Sequence, residues 1–186
     1  MGVFNASAGS AVVNMRWEIH SAKEFARFSR VWDEINQATS GLPALDSIFV
    51  ALLLKEFGTG RELLAIGYRG DTAQAITVLR RKNIGLWETF QPAQAPLGAW
   101  IHRLPYTFAS LVPGLLGALP GFAVALGITQ QDPELVRRPD KSETGETLDY
   151  IETARVTISG SFDEYWAKRG KNLRNNTKKQ LNTANL

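Results

Sequence analysis

Three short apolar segments that follow one another almost without a break limit the folds open to this chain. The segment from Arg61 to Arg69 is apolar at most positions, which is typical of a strand buried on both faces. Gly70-Asp71 suits a hairpin turn into a second segment, Ala73 to Arg81, and Lys82-Asn83 turns into a third, Ile84 to Phe90. Strands joined by such short turns pair antiparallel, so this stretch predicts a three-stranded meander.

Helical and strand patterns surround this meander. We predict a strand from Asn14 to His20, a helix after the capping-box pair Ser21 and Glu24, and a second helix capped by Asp46 or Ser47. The mixture of segregated helices and strands predicts an α+β fold. The elements expected after the meander are a loop, Gln91 to Ala99; a helix, Tyr106 to Leu119; a strand, Phe122 to Thr129; an exposed excursion, Gln130 to Thr147; and a strand, Tyr150 to Ser159.

Composition and the N-terminus favour a cytoplasmic protein. The 186 residues carry a net charge of +3 and no cysteine, which excludes disulfides, thiolate metal sites and a cysteine nucleophile and fits a reducing compartment. Residues 1–13 lack the charged start and the long apolar run of a secretion signal, so we expect a flexible leader there.

One uncharged segment, Leu104 to Gln131, is long enough to span a bilayer. Pro105, Pro113 and Pro120 interrupt it, with glycines between them. A buried helix followed by a core strand explains this punctuation better than a membrane span, so we do not expect an integral membrane protein.

The C-terminal residues predict two helices. Ser161 and Glu164 have capping-box spacing, and Gly170 suits the end of the first helix. A basic helix follows, with Lys171, Arg174 and Lys178 on one face. We interpret 14–160 as one domain and 161–186 as the helical start of a second domain that is missing.

Three local sequence motifs indicate a family more specifically than the order of elements does. The motifs are Trp32-Asp-Glu-Ile, Gln94-Ala-Pro-Leu-Gly98 and Phe162-x-x-Tyr-Trp-x-x-Arg-x-Lys-x-Leu-Arg-x-Asn176. Together with the element order, they resemble the bacterial CelD-type acetyltransferases of the GNAT superfamily, which are often labelled cellulose-biosynthesis proteins and are related to the Fem-type aminoacyltransferases.

The resemblance implies a GNAT-like domain with a mixed, mostly antiparallel sheet flanked by helices. It implies two such halves in tandem, of which this chain resembles the N-terminal, acceptor-side half. The missing C-terminal half would bind acetyl-CoA or another acyl-CoA. The acceptor would be an amine or hydroxyl of an envelope or polysaccharide precursor, and whether this chain alone is an enzyme stays open.

Gln94, Gly98 and Ala99 are the candidates for cofactor binding. The family's pyrophosphate-binding loop follows the fourth strand, and Gln94 to Ala99 occupies that place one residue out of register. Pro96 removes one amide donor. We therefore predict either a degenerate loop that binds no CoA or a simple proline-glycine turn.

Glu88 is the candidate general base, since it lies on the strand where the family often places a carboxylate. An exposed glutamate on an edge strand is the alternative, and the commoner situation for this residue type.

Trp100 is the aromatic residue that we expect to contact a ligand, because it lies in the proline-rich loop and not on a periodic element.

Lys171, Arg174 and Lys178 either bind an anionic group or form a solvated helix face. No aromatic residue interleaves with these cations, which disfavours nucleic acid. His20 and His102 are far apart and predict no metal site. The alternative function is a non-enzymatic module that binds a protein or nucleic-acid partner through this basic helix.

Overall fold

The computed structural model describes residues 2–5, 15–132, 136, 145–149 and 159–184. The chain divides into two compact units, Met1–Tyr150 and Ile151–Leu186. The strands are β1 (Gly2–Asn5), β2 (Arg16–Ser21), β3 (Leu63–Arg69), β4 (Thr72–Asn83), β5 (Gly85–Thr89), β6 (Trp100–His102), β7 (Ala123–Ile128) and β8 (Gly145–Thr147). The α-helices are α1 (Ser29–Thr39), α2 (Ser47–Phe57), α3 (Phe108–Ala118), α4 (Phe162–Ala167) and α5 (Lys171–Ala184), and 3₁₀ turns cover Ala22–Phe28 and Pro43–Leu45.

The first unit contains a mixed, mostly antiparallel sheet flanked by helices, as the sequence predicts. The strand order is β2-β3-β4-β5-β7-β1-β8, and β6 pairs with β4 beside β5. Among the described strands, β5 and β7 form the one parallel pair, and every other pairing is antiparallel. The predicted meander is confirmed as β3-β4-β5, and Gly70 at its first turn has φ +59°, which favours glycine.

Three short strands were not expected from the sequence pattern, and one of them, Gly145–Thr147, lies in the predicted exposed excursion. Gly2–Asn5 pairs with both β7 and β8, so a flexible leader is not seen over these residues. Trp100–His102 pairs with β4, so Trp100 begins a strand and does not lie in the preceding loop. All three strands are too short for periodicity to reveal them. The strand expected from Tyr150 to Ser159 falls outside the described residues, apart from Ser159 itself.

Buried side chains form a cluster on each face of the sheet. On one face α3 packs against Trp100, Leu126 and their neighbours, and on the other α1 and α2 cover Leu64, Ile66 and Val78. Four consecutive residues of β3, from 64 to 67, are buried, which agrees with the prediction that this strand is covered on both faces.

The start of α2 is held by a residue of α1. The Asp33 carboxylate accepts hydrogen bonds from the Ser47 backbone N–H at 2.8 Å and from its hydroxyl at 2.7 Å. Asp46 stands at the N-cap position but makes no side-chain cap bond. A contact across 14 residues has therefore replaced the local cap that the sequence predicts.

Candidate functional site

The first unit carries a broad cleft that is lined by residues at the end of α2 and by residues of β4 and β5. Its volume is about 1480 Å³, and cationic, polar and apolar side chains all line it. The lining residues that matter below are Phe57, Thr59, Arg61, Glu62, Arg80, Arg81, Lys82, Ile84, Glu88, Phe90, Gln91 and Gln130.

Glu88 lies in the wall of this cleft and is almost fully buried, with 5% of its side chain exposed. One carboxylate oxygen, Oε1, accepts from Nε and Nη2 of Arg80, each at 2.6 Å. The other, Oε2, lies 2.9 Å from Nζ of Lys82. Because β5 pairs with β4 and β7, the interpretation of Glu88 as an exposed edge-strand residue is wrong.

Strand geometry explains why these three charges meet. Arg80 and Glu88 are directly paired across the β4–β5 hairpin, and Lys82 lies two residues further along β4. The register shifts between Arg81 and Asn83, and the side chain of Lys82, within this β-bulge, reaches the same carboxylate. The carboxylate therefore sits between two cations, which compensate its burial.

A general base needs an oxygen that a substrate's proton can reach. Both oxygens of Glu88 are engaged by Arg80 and Lys82, and the side chain is 5% exposed. The geometry favours a carboxylate that positions two cations over one that takes a proton from an acceptor.

The two cations keep much of their surface in the cleft. The side chain of Arg80 is 46% exposed and that of Lys82 is 45% exposed. Arg61 and Arg81 are exposed residues that line the same cleft. The wall therefore presents positive charge to its interior.

A second buried carboxylate, Glu62, faces this cleft and is held differently. Its Oε1 accepts from the Thr59 backbone N–H and hydroxyl, each at 2.8 Å, and its Oε2 accepts from the Gly60 N–H at 2.9 Å. Burial raises the pKa of Glu62, but the hydrogen bonds from Thr59 and Gly60 outweigh it and hold the pKa below its ordinary value. Gly58 is the C-cap residue of α2, and its backbone N–H donates to Leu54 O.

In the loop proposed for cofactor binding, the backbone N–H groups of Gly98 and Ala99 donate hydrogen bonds within the fold. Gly98 N donates to Gln130 O at 3.1 Å, and Ala99 N donates to Phe90 O at 3.1 Å. A Cβ on Gly98 would lie 2.5 Å from Thr129 O, so glycine is needed here for close packing. The loop leads into β6 and not into a helix, and Gln94 is exposed on it. The backbone amides of Gly98 and Ala99 are therefore engaged within the fold in this conformation.

Trp100 is a core residue and not a ligand contact. It is 1% exposed, and its indole N–H donates to Nδ1 of His102 at 2.9 Å. Burial lowers the pKa of His102 from 6.5 to about 4, against a backbone hydrogen bond with Tyr106 that raises it. The neutral ring therefore accepts at Nδ1, and the expectation of a ligand contact at Trp100 is wrong.

Metal binding finds no support in the part of the chain that the structure describes. No group of three or more histidine, aspartate or glutamate side chains there could hold a metal ion. His20 Nε2 lies 3.4 Å from Glu18 Oε2, and the His20 ring is tilted by 40° against the ring of Phe28.

The second unit contains the basic helix. Lys171, Arg174 and Lys178 are exposed on α5, and Leu173 and Leu181 are 52% and 60% exposed. The capping box at Ser161 and Glu164 is present at the start of α4, as predicted.

The fold and site define an α+β protein with a cationic cleft beside a parallel strand pair. No family model, curated protein or solved structure matches the chain. Among the residues described, no helix has the length and apolar character required to cross a bilayer.

Sequence reasoning identified Glu88 but not its partners. The run Arg80-Arg81-Lys82 was visible as local positive charge, and strand alternation places its first and last members on one face. The turn predicted at Lys82-Asn83 would place Arg80 opposite Gly85, whereas β4 continues to Asn83 and the observed register pairs Arg80 with Glu88. Glu62 gave no signal, because its partners are backbone amides.

Proposed function

We propose that this chain is the acceptor-side half of a cytoplasmic acyltransferase with GNAT-like architecture. In the reaction, an amine or hydroxyl of a small envelope or polysaccharide precursor loses a proton and bonds to the acyl carbon, and CoA leaves as the free thiol. The cleft at Arg80, Lys82 and Glu88 is the observation that carries the proposal, since it is a wide, charged opening with the dimensions of a small-molecule site.

The element order supports this assignment. From β2 onward the unit runs strand, two helices, three-stranded meander, the short strand β6, helix and strand, and apart from β6 this is the order on which the resemblance is based. The cleft lies beside the pair β5–β7, where neighbouring strands run parallel. Crevices at such places are where open sheets with helices commonly hold ligands.

The committed amides of the 94–99 loop support the division of labour. Gly98 N and Ala99 N are used within the fold, so this loop offers them to no pyrophosphate. Both Glu88 oxygens are bonded to cations. In this proposal the chain shapes the acceptor site, and a second GNAT-like domain binds acyl-CoA and supplies the base.

One observation favours a second candidate, a binding module that acts through α5. Lys171, Arg174, Lys178 and Lys179 are exposed on this helix, which has no acidic residue. An anionic partner surface would complement this charge. Charge reversal of Lys171 and Lys178 would abolish partner capture in this case, and would leave ligand binding in the cleft unchanged.

Thiol release tests the proposed division of the acyltransferase into two halves. The chain has no cysteine, so a thiol reagent reports CoA without background from the protein. With acetyl-CoA and a panel of amines and hydroxyl compounds, we expect no thiol release by this chain alone and no saturable binding of acetyl-CoA by calorimetry. Turnover by the pure protein would overturn the division into halves.

A further inference from the structure

The charges of the cleft wall do not cancel. Four cationic side chains, those of Arg61, Arg80, Arg81 and Lys82, stand against the two carboxylates of Glu62 and Glu88, which leaves a net charge of +2. A surplus of this kind attracts anions into a partly enclosed site, where screening by water and salt is weaker than on an open surface.

The two carboxylates compensate only part of this positive charge, since the single carboxylate of Glu88 is shared by Arg80 and Lys82. Glu62 is occupied by the Thr59 and Gly60 amides, and Glu88 is buried behind Arg80 and Lys82. The surplus positive charge is therefore on the solvent side of the wall, in the half-exposed parts of Arg80 and Lys82.

Hydrogen-bond donors remain on both cations. Arg80 directs Nε and Nη2 at Glu88, and Nη1 makes no contact with that carboxylate. Lys82 directs Nζ, which has three N–H groups, at the single atom Oε2. Glu88 thus fixes the two cations while leaving donors for a ligand, which lowers the entropy cost of binding.

Charge and geometry favour a phosphate ester over a carboxylate. A phosphate monoester carries about −1.5 to −2 at neutral pH and three acceptor oxygens, which matches the surplus charge and several donors. Arginine binds phosphate oxygens with paired, charge-assisted hydrogen bonds. A carboxylate would compensate only about half of the charge.

The cleft also has room and walls for an organic group. Its volume of about 1480 Å³ exceeds what a lone phosphate needs, and Phe57, Ile84 and Phe90 give it apolar surface. Phe57 is 44% exposed and Ile84 is 86% exposed, so these side chains are available to a ligand.

We propose that the cleft is a binding site for a phosphorylated small molecule, with its phosphate on Arg80 and Lys82 and its organic group against Phe57 and Ile84. Glu88 acts as a positioning residue. If the acyltransferase proposal holds, the acceptor is a phosphate ester. The binding site does not depend on acyl transfer, and its test uses no CoA.

The test compares phenyl phosphate with benzoate by calorimetry on the whole chain, since both carry one aromatic ring and differ in the anion. We expect saturable binding of phenyl phosphate, about tenfold or more tighter than benzoate. Lys82→Gln and Arg61→Gln each remove one cation of the cleft and should weaken phenyl phosphate about fivefold or more.

The matched controls are Lys55→Gln and Arg30→Gln, which remove exposed cations outside the cleft. We expect less than about a twofold change in either control. Should Lys82→Gln fail to fold, Arg61→Gln decides against Arg30→Gln, because Arg61 is outside the Glu88 cluster. No saturable binding by the folded chain, equal affinity for benzoate, or equal losses in cleft and control variants would each overturn the proposal.

Discussion

Two buried glutamates of the same cleft are compensated in opposite ways. Glu62 is held by the backbone amides of Thr59 and Gly60, in the turn that closes α2. Glu88 is held by the side chains of Arg80 and Lys82, which lie on the neighbouring strand β4. The partners of Glu62 are backbone amides within the fold, whereas the partners of Glu88 are charged side chains that are half-exposed to solvent.

This difference separates a structural carboxylate from a positioning one. Backbone amides are fixed by the chain path, so the bonds to Glu62 stabilise one loop conformation and offer nothing outward. Arginine and lysine have more donors than one carboxylate can use, so Glu88 leaves the cations able to bind a second anion. The nature of the compensating groups therefore indicates which carboxylate belongs to a ligand site.

The largest effect on stability is expected in the buried cluster between the sheet and the helices α1 and α2. Trp32 is fully buried, its ring centroid is 5.2 Å from that of Phe25, and its indole N–H donates to Leu45 O at 2.6 Å. Trp32→Ala should lower the free energy of unfolding by about 3–5 kcal/mol, because it leaves a cavity and an unpaired carbonyl. Urea unfolding measures this, and a loss below about 1 kcal/mol would contradict the packing described.

Acid should destabilise the folded protein through the buried residue His102. Its folded pKa of about 4 lies below its ordinary 6.5, so the unfolded chain binds the proton first as pH falls. The free energy of unfolding should therefore fall between pH 6.5 and about 4, by about 3 kcal/mol in all. In His102→Asn, whose amide oxygen can still accept from Trp100, this slope should disappear, and a slope equal to that of the wild type would refute the assignment.

Removing each glutamate should separate their roles. Glu62→Ala leaves the Thr59 and Gly60 amides without their acceptor and should cost about 1–3 kcal/mol. Glu88→Gln should cost less than about 1 kcal/mol, since Arg80 and Lys82 are half-exposed and stay hydrated. Denaturant unfolding at pH 7 compares them, and a larger loss in Glu88→Gln would reverse the comparison.

The Glu62 contribution should also depend on pH. Its folded pKa lies below the ordinary 4.5, so its contribution is complete above that pH and is lost as pH falls through the folded value. The stability difference between wild type and Glu62→Ala should therefore narrow in acid, and a constant difference would show that the carboxylate charge has no part in it.

The smallest effect is expected at the open rim of the cleft. Ile84 is 86% exposed, so Ile84→Ser should change the free energy of unfolding by less than about 0.5 kcal/mol. It should nevertheless weaken phenyl phosphate by about two- to threefold, since it removes apolar surface from the ligand. A stability loss without a binding loss would place Ile84 in the core instead.

Periodic segments made the fold predictable, and short or non-local features did not. The meander from Leu63 to Thr89 follows from strand periodicity and turn residues. The strand at Trp100 has three residues, and its burial depends on α3 and on His102, which no local pattern reveals. The cap on α2 comes from Asp33, 14 residues away.

The candidate site was predictable only in part for the same reason. Glu88 stood out by its place on a strand, but its burial depends on the register between β4 and β5 and on pairing with β7. Gly98 looked like part of a phosphate-binding loop because glycine has several uses. Here it allows close approach to Thr89 and Thr129.

Amide chemical-shift mapping during a phenyl phosphate titration tests the central claim most directly. We expect the concentration-dependent shifts to cluster at residues 57–62, 80–84 and 88, which line the cleft. Shifts confined to the 94–99 loop or to α5 would contradict the account, because they would show that the anion binds outside the cleft.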